Sequence, residues 1–109
     1  MPARTQTTAI ALDNQLLRLL ADPRRAQIVA LLAVEQLCTC HLVELTGATQ
    51  SNVSNHLRAL REAGVVQTEA AGRYTYYRLL PQRLTELARA LDGLTEQAHA
   101  SVARKRPCQ

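Results

Sequence analysis

Two short apolar-periodic segments in the middle of the chain are separated by the break Gly47-Ala48-Thr49. Glycine just past a helix takes the left-handed conformation that ends it. Threonine just ahead of the next helix offers an oxygen to the unbonded N–H groups of its first turn. The spacing predicts one helix from about Cys38 to Leu45 or Thr46, and another from Gln50 to Ala63, closed by Gly64. Two helices joined by a short turn containing Gly form a helix-turn-helix. On the second helix Val53, Leu57 and Leu60 recur at steps of four and three and must face a core. Gln50, Ser51, Asn52, Ser54, Asn55 and Arg58 are left for other faces.

The flanks complete the pattern. Residues 1–8 lack apolar periodicity and are expected to be loose. From Ile10, the positions Ile10, Leu12, Leu16, Leu17, Leu19 and Leu20 predict a first helix. Asp22-Pro23 opens another, with Asp as cap and Pro at the first helical position. It is expected to run to about Val34 and to bury Ile28, Val29, Leu31 and Leu32. Arg24 and Arg25 sit in its first turn, where the helix dipole disfavours cations. A phosphate contact and surface salt bridges account for them equally well. Downstream, Val65–Glu69 and Tyr74–Leu79 read as strands around the turn Ala70-Ala71-Gly72-Arg73. A hairpin directly after such a helix is a wing. Tyr76 and Tyr77 point to opposite sides of their strand, so one is expected in the core and one exposed. After Pro81 a last helix is expected to reach about Val102. Leu80, Leu84, Leu87, Leu91, Leu94 and Ala98 form a stripe along it that is too apolar to leave in water. With the first helix it is expected to make a dimer interface.

The fold expected is therefore mainly α with a β-hairpin: a dimeric winged helix-turn-helix. Residues 1–8 form a disordered N-terminus, 9–103 one DNA-binding and dimerisation domain, and 104–109 a flexible basic tail carrying Cys108. A length of 109 residues suits one domain. With no Phe or Trp, Leu, Ala and Val must do most of the packing, which favours helices. The net charge of +4 suits a nucleic-acid partner. No secretory signal or membrane span is visible, so a cytoplasmic location is expected, and there the three cysteines are expected to be thiols. No nucleophile–base set or phosphate loop is present, so the chain is not expected to be an enzyme.

Within this frame the polar face of the second helix of the pair can read bases. Gln50, Asn52 and Asn55 each offer an amide donor and acceptor to adenine edges. Ser51 and Ser54 can reach bases or phosphates. Arg58 and Arg73 of the wing are expected on phosphates, where they position more than they specify. His56 is either packed against the preceding helix, the one from about Cys38 to Leu45 or Thr46, or bound to a phosphate.

Cys38 and Cys40 lie just ahead of that helix. Two residues apart on a regular helix, they point about 200° from each other. On that reading they could chelate one ion only if the turn unwound. Thiolate pairs take soft ions, among them Zn, Cd and Cu(I), although Cys is also common as a small buried hydrophobe. Cys108, on the tail, could supply a third thiolate from its own or the partner chain. His41 would favour a borderline metal such as Zn. On the last helix Asp92, Glu96 and His99 share a face that could hold Zn or Ni across a dimer or simply be solvated.

These stretches resemble the ArsR/SmtB family of metal-responsive repressors. Leu20-Ala21-Asp22-Pro23-Arg24-Arg25 is similar to its second-helix opening, and Leu37-Cys38-Thr39-Cys40-His41-Leu42 to its arsenic-sensor box. Gln50 to Gly64 resembles its recognition helix, and Gly72 to Leu79 its wing. The resemblance covers about residues 10–95. It implies a homodimer that binds an inverted-repeat operator and leaves it on binding an inducer, arsenite or antimonite through Cys38 and Cys40, with Cys108 the replacement expected for a third thiolate. The family's third box cysteine is replaced here by Val43, and its usual Asp by His41. Zn, Cd or Ni, or oxidation of the thiols, would be alternative signals for the same DNA-binding role. A thiol or metal carrier that binds no DNA is a rival from another class, and it leaves the helix-turn-helix and wing without a use.

Overall fold

The computed structural model describes residues 10–108. The expectation of a loose N-terminus at residues 1–8 lies outside them. Five helices and a small sheet follow in the order α1 (Asn14–Ala21), α2 (Pro23–Leu32), β1 (Leu37–Cys38), α3 (Thr39–Thr46), α4 (Gln50–Glu62), β2 (Val66–Ala71), β3 (Tyr74–Leu79) and α5 (Gln82–Ala100). This is the winged helix-turn-helix expected, with one strand added. The described part is elongated, 64 × 26 × 21 Å.

The helix boundaries follow local chemistry. The Asp13 carboxylate accepts from the Leu16 N–H at 3.0 Å and caps α1, which therefore starts at Asn14, four residues after the first apolar position, Ile10. The Asp22 carboxylate accepts from the N–H groups of Arg24 and Arg25 at 2.8 and 3.1 Å and caps α2, with Pro23 at its first position. α2 ends at Leu32, two residues before the expected Val34, and Val34 is exposed. Gly47, at φ 74°, ends α3 in the left-handed conformation. The Thr49 hydroxyl accepts from the Asn52 N–H at 3.1 Å and starts α4.

Two expectations are corrected near the sheet. Helix α3 begins at Thr39, not Cys38; Cys38 is extended and belongs to β1. The sheet order is β1-β3-β2, and both pairings are antiparallel. In the first, Leu37 faces Tyr77 and Cys38 faces Tyr76. In the second, Val66 faces Leu79 and Ala71 faces Tyr74, so the wing turns through Gly72-Arg73 alone. The two-residue turn forces positive φ, which Gly72 takes at 64°.

The core gathers Leu16, Ile28, Leu32, Leu37, Leu42, Val53, Leu57, Leu60, Val65, Val66 and Leu87. Every helix contributes, and α3 and α4 meet through Leu42, Val53 and Leu57. Val29 and Leu31, expected inside, are only half-buried and pack on the edge of this cluster. Tyr77 packs against the core, whereas Tyr76 is half-buried on the other side of β3, not exposed. Along α5, Leu87 is buried and Leu84 packs against the core, but Leu91 keeps 45% of its surface exposed. Leu94 is half-buried and Ala98 exposed. Ile10 lies against Gly93, where an added Cβ would come within 2.6 Å of its terminal methyl. The first helix lead-in thus covers the middle of α5 and leaves the apolar stripe beyond it open.

Candidate DNA-binding face and cysteine cluster

Helix α4 shows the division of faces that its spacing predicts. Val53, Leu57 and Leu60 are buried. Gln50, Ser51, Asn52, Asn55 and Arg58 are exposed, and Ser54 is half-buried. One Arg58 N–H donates to the Asn55 side-chain oxygen at 3.3 Å, which orients two polar groups along one edge. Arg73 is exposed at the tip of the wing. The structure thus offers a polar helix face and a cationic loop, the parts required to engage a groove and its phosphates.

His56 is placed differently: its polar partners lie on α2 and its cap, not on α3 as expected. Its side chain is 15% exposed. Its Nδ1 accepts from Arg25 Nε at 3.1 Å, and its Nε2 lies 4.0 Å from the Asp22 carboxylate. Arg25 also donates to the Leu19 carbonyl at 3.2 Å, and Arg24 donates to the Thr46 carbonyl at 2.9 Å and to Gln27 at 3.0 Å. The two arginines of the α2 first turn are therefore engaged inside the protein, with bonds to backbone and to α4. Asp22 tempers their unfavourable position against the dipole, and the N–H groups it accepts hold its carboxyl below the ordinary range. Arg83 of α5 makes a comparable link. It donates to the Ala63 carbonyl at 2.6 Å and is paired with Asp13, whose carboxyl it holds low. Sequence reading missed this link because its partners are 70 residues apart.

Cys38 and Cys40 come together at the start of α3. Their Cα atoms are 5.4 Å apart and their sulfurs touch, in the arrangement of a disulfide. Two expectations change here. The pair converges without any unwinding, because Cys38 precedes the helix in extended conformation. And of three expected thiols, Cys108 alone is free in this structure. The His41 ring joins them. Its Nδ1 accepts from the Cys38 N–H at 3.2 Å and lies 3.2 Å from the Cys38 sulfur. The Cys38, Cys40 and His41 donor atoms all lie within 4.8 Å of one another, with Cys38 buried, His41 half-buried and Cys40 exposed. Across the ring from this cluster sits Tyr76, its centroid 6.0 Å from that of His41.

That cluster is the one group of three such donors among the described residues. Cys108 is exposed on the tail and is not part of it within one chain. Asp92, Glu96 and His99 are exposed on α5 and do not close into a comparable group within one chain. No helix among the described residues is long and apolar enough to cross a membrane.

Comparison with known proteins agrees with this architecture. Residues 22–68 match the model of the bacterial regulatory protein arsR family. The chain is 42% identical over 64 residues to the arsenic resistance transcriptional regulator of Pseudomonas putida, a stretch covering 58% of this chain and 50% of that one. It thus spans about half of that relative. It is 37% identical over 82 residues to the arsenical resistance operon repressor of Escherichia coli, covering 74% of this chain and 70% of that one. The structure superposes with a TM-score of 0.60, at 26% identity, on the homodimeric winged helix-turn-helix DNA-binding domain of a possible ArsR-family regulator from Mycobacterium bovis, covering 88% and 85% of the two chains. These relatives are transcriptional regulators and not enzymes. By its fold, its polar recognition helix and these likenesses, the chain belongs to the ArsR family of DNA-binding transcriptional regulators.

Proposed function

We propose that the chain is a cytoplasmic homodimeric repressor that binds an inverted-repeat operator and releases it when arsenite or antimonite binds the Cys38–Cys40 pair. The observation that carries this reading is the convergence of the two sulfurs on the first turn of α3. Helix α3 packs on α4 through the core around Leu42, Val53 and Leu57. A ligand that re-spaces the sulfurs therefore acts on the support of the recognition helix. Coupling of this kind is worth about 1–3 kcal/mol, a change of roughly 5- to 150-fold in operator affinity.

The trivalent metalloid takes three thiolates in a pyramid, so the reduced pair supplies two and Cys108 the third. Residues 104–109 form the tail that carries it, beyond the domain of 9–103. The exposed Leu91 and the end of the α5 stripe beyond it, Leu94 and Ala98, supply the second copy's seat. On the DNA, Gln50, Asn52 and Asn55 read base edges, Ser51 and Ser54 reach bases or phosphates, and Arg58 and Arg73 hold phosphates. Each face of the dimer then meets one major-groove half-site, about one helical turn from the other.

The His41 position favours a second reading of the same site. Two sulfurs and an imidazole nitrogen form a mixed donor set suited to Zn or Cd. The contact between the sulfurs also makes oxidation a candidate signal. Operator binding by the reduced protein, followed by fluorescence anisotropy, separates these readings. Release by micromolar arsenite that is lost in Cys40→Ser and weakened in Cys108→Ser is the expected result. Release by Zn or Cd alone, lost in His41→Ala, would replace the metalloid with a divalent ion. Release by an oxidant without metal would make the pair a redox switch. Release by Ni that survives all three substitutions would move the site to Asp92, Glu96 and His99.

A further inference from the structure

The two arginines at the start of α2 and His56 of α4 have no role in the reading above. Placed on a polar recognition helix, His56 would ordinarily count as a DNA contact. Its surroundings point elsewhere. The side chain is mostly covered, and its Nδ1 is occupied as acceptor for Arg25 Nε at 3.1 Å. Its other nitrogen faces Asp22, the cap of α2, at 4.0 Å. Arg25 is itself fixed, by the Leu19 carbonyl at 3.2 Å and by Asp22 at 3.9 Å. One residue earlier, Arg24 grips the Thr46 carbonyl at the last residue of α3. The first turn of α2 therefore holds both helices of the helix-turn-helix: the end of α3 through Arg24, and the middle of α4 through Arg25 and His56.

Apolar contacts such as Val53 and Leu57 keep α4 against the core but resist rolling about its axis weakly, because they are non-directional. A hydrogen bond from a rigid guanidinium to a ring nitrogen is directional. Rolling α4 by one residue's angular step, about 100°, exchanges which side chains face a groove, so even a fraction of that roll misaims Asn52 and Asn55. We infer that Arg25 and His56 are positioning residues that set the roll of the recognition helix and thereby sequence discrimination, without touching DNA. This rests on α4 being the base-reading helix.

The test uses the reduced full-length protein and two duplexes of equal length: one selected by the wild-type protein from a random pool, and a scrambled version of it. Affinities are measured over a series of salt concentrations, with thermal unfolding of each variant as a check. His56→Ala should weaken the selected duplex about tenfold, the usual scale for losing one half-buried hydrogen-bond partner. It should leave the scrambled duplex within about twofold and the salt slope unchanged. His56→Gln, whose amide oxygen can accept from Arg25, should restore most of the discrimination. Arg25→Ala combined with His56→Ala should be no worse than Arg25→Ala alone, because the two act through one bond. Equal losses on both duplexes, with a salt slope shallower by about one phosphate, would overturn the inference and make His56 a backbone contact. Unchanged discrimination in a folded His56→Ala protein would also overturn it. If the wild-type protein enriches no sequence from the pool, base reading by α4 itself fails, a different outcome from either.

Discussion

Leu91→Ala should weaken the proposed dimer far more than it weakens the fold. Leu91 retains 45% of its surface in a single chain and is absent from the core cluster. Fully burying a leucine side chain contributes about 1.5–3 kcal/mol, so covering the remaining 45% of Leu91 contributes about 0.7–1.4 kcal/mol per protomer. In a two-fold interface the same residue counts twice. The sum is about 1.4–2.7 kcal/mol, or roughly 10- to 100-fold in the dimer dissociation constant. Truncation to alanine removes most of that while leaving α5 a good helix former. Sedimentation velocity across a concentration series would show the monomer appearing at 10 to 100 times the wild-type concentration. Operator binding should fall in step, since a monomer meets one half-site only. A variant that dimerises as tightly as wild type would refute the assignment of this stripe to the interface. A variant that is monomeric yet binds operator normally would refute the need for two half-sites.

Asn55→Ala should weaken operator binding much more than binding to random DNA, measured by anisotropy; equal losses would deny it a part in base reading. Thr49→Ala removes the cap of α4 and should cost about 1 kcal/mol, read from urea unfolding, with loss of operator affinity because Gln50–Asn52 lie in the turn it fixes. Asp13 and Asp22 have carboxyls held below their ordinary value of 3.8, Asp13 by Arg83 and Asp22 by the Arg25 N–H. A depressed folded value means stability present above the unfolded value and lost as pH falls through the folded one. Asp13→Asn keeps the cap acceptor but removes this acid-sensitive part, so its acid unfolding, followed by circular dichroism, should be less steep.

Much of this fold was legible in the chain because its boundaries are set by local chemistry. Asp22-Pro23, Gly47 and Thr49 each act within a few residues of themselves, and the structure uses all three as the sequence predicts. The apolar steps Val53, Leu57 and Leu60 likewise fix which side of α4 is buried, whatever packs against it. What escaped prediction is non-local. Leu37-Cys38 is a strand only because β3 lies alongside it, and two residues are too short for any period. Placing Cys38 on a helix led to the expectation that its sulfur and that of Cys40 diverge. One residue's change of conformation reverses that geometry. Arg25 and His56, 31 positions apart, meet only through the packing of α2 on α4. No pattern within either helix marks the pairing. The donor set at Cys38, Cys40 and His41 was legible as residue types but not as a cluster.

The short strand β1 covers the outer edge of β3 at Tyr76 and Tyr77. Without it, β3 would present one row of unpaired N–H and C=O groups to water, as any sheet edge does. The residues that close this part of the edge are Leu37 and Cys38, the second opposite Tyr76, and Arg73 lies three positions from Tyr76, a reach of about 10 Å along an extended chain. The thiol site is thus stitched into the hem of the wing. A change in the backbone at Cys38 reaches the pairing of β1 with β3 as directly as it reaches the first turn of α3.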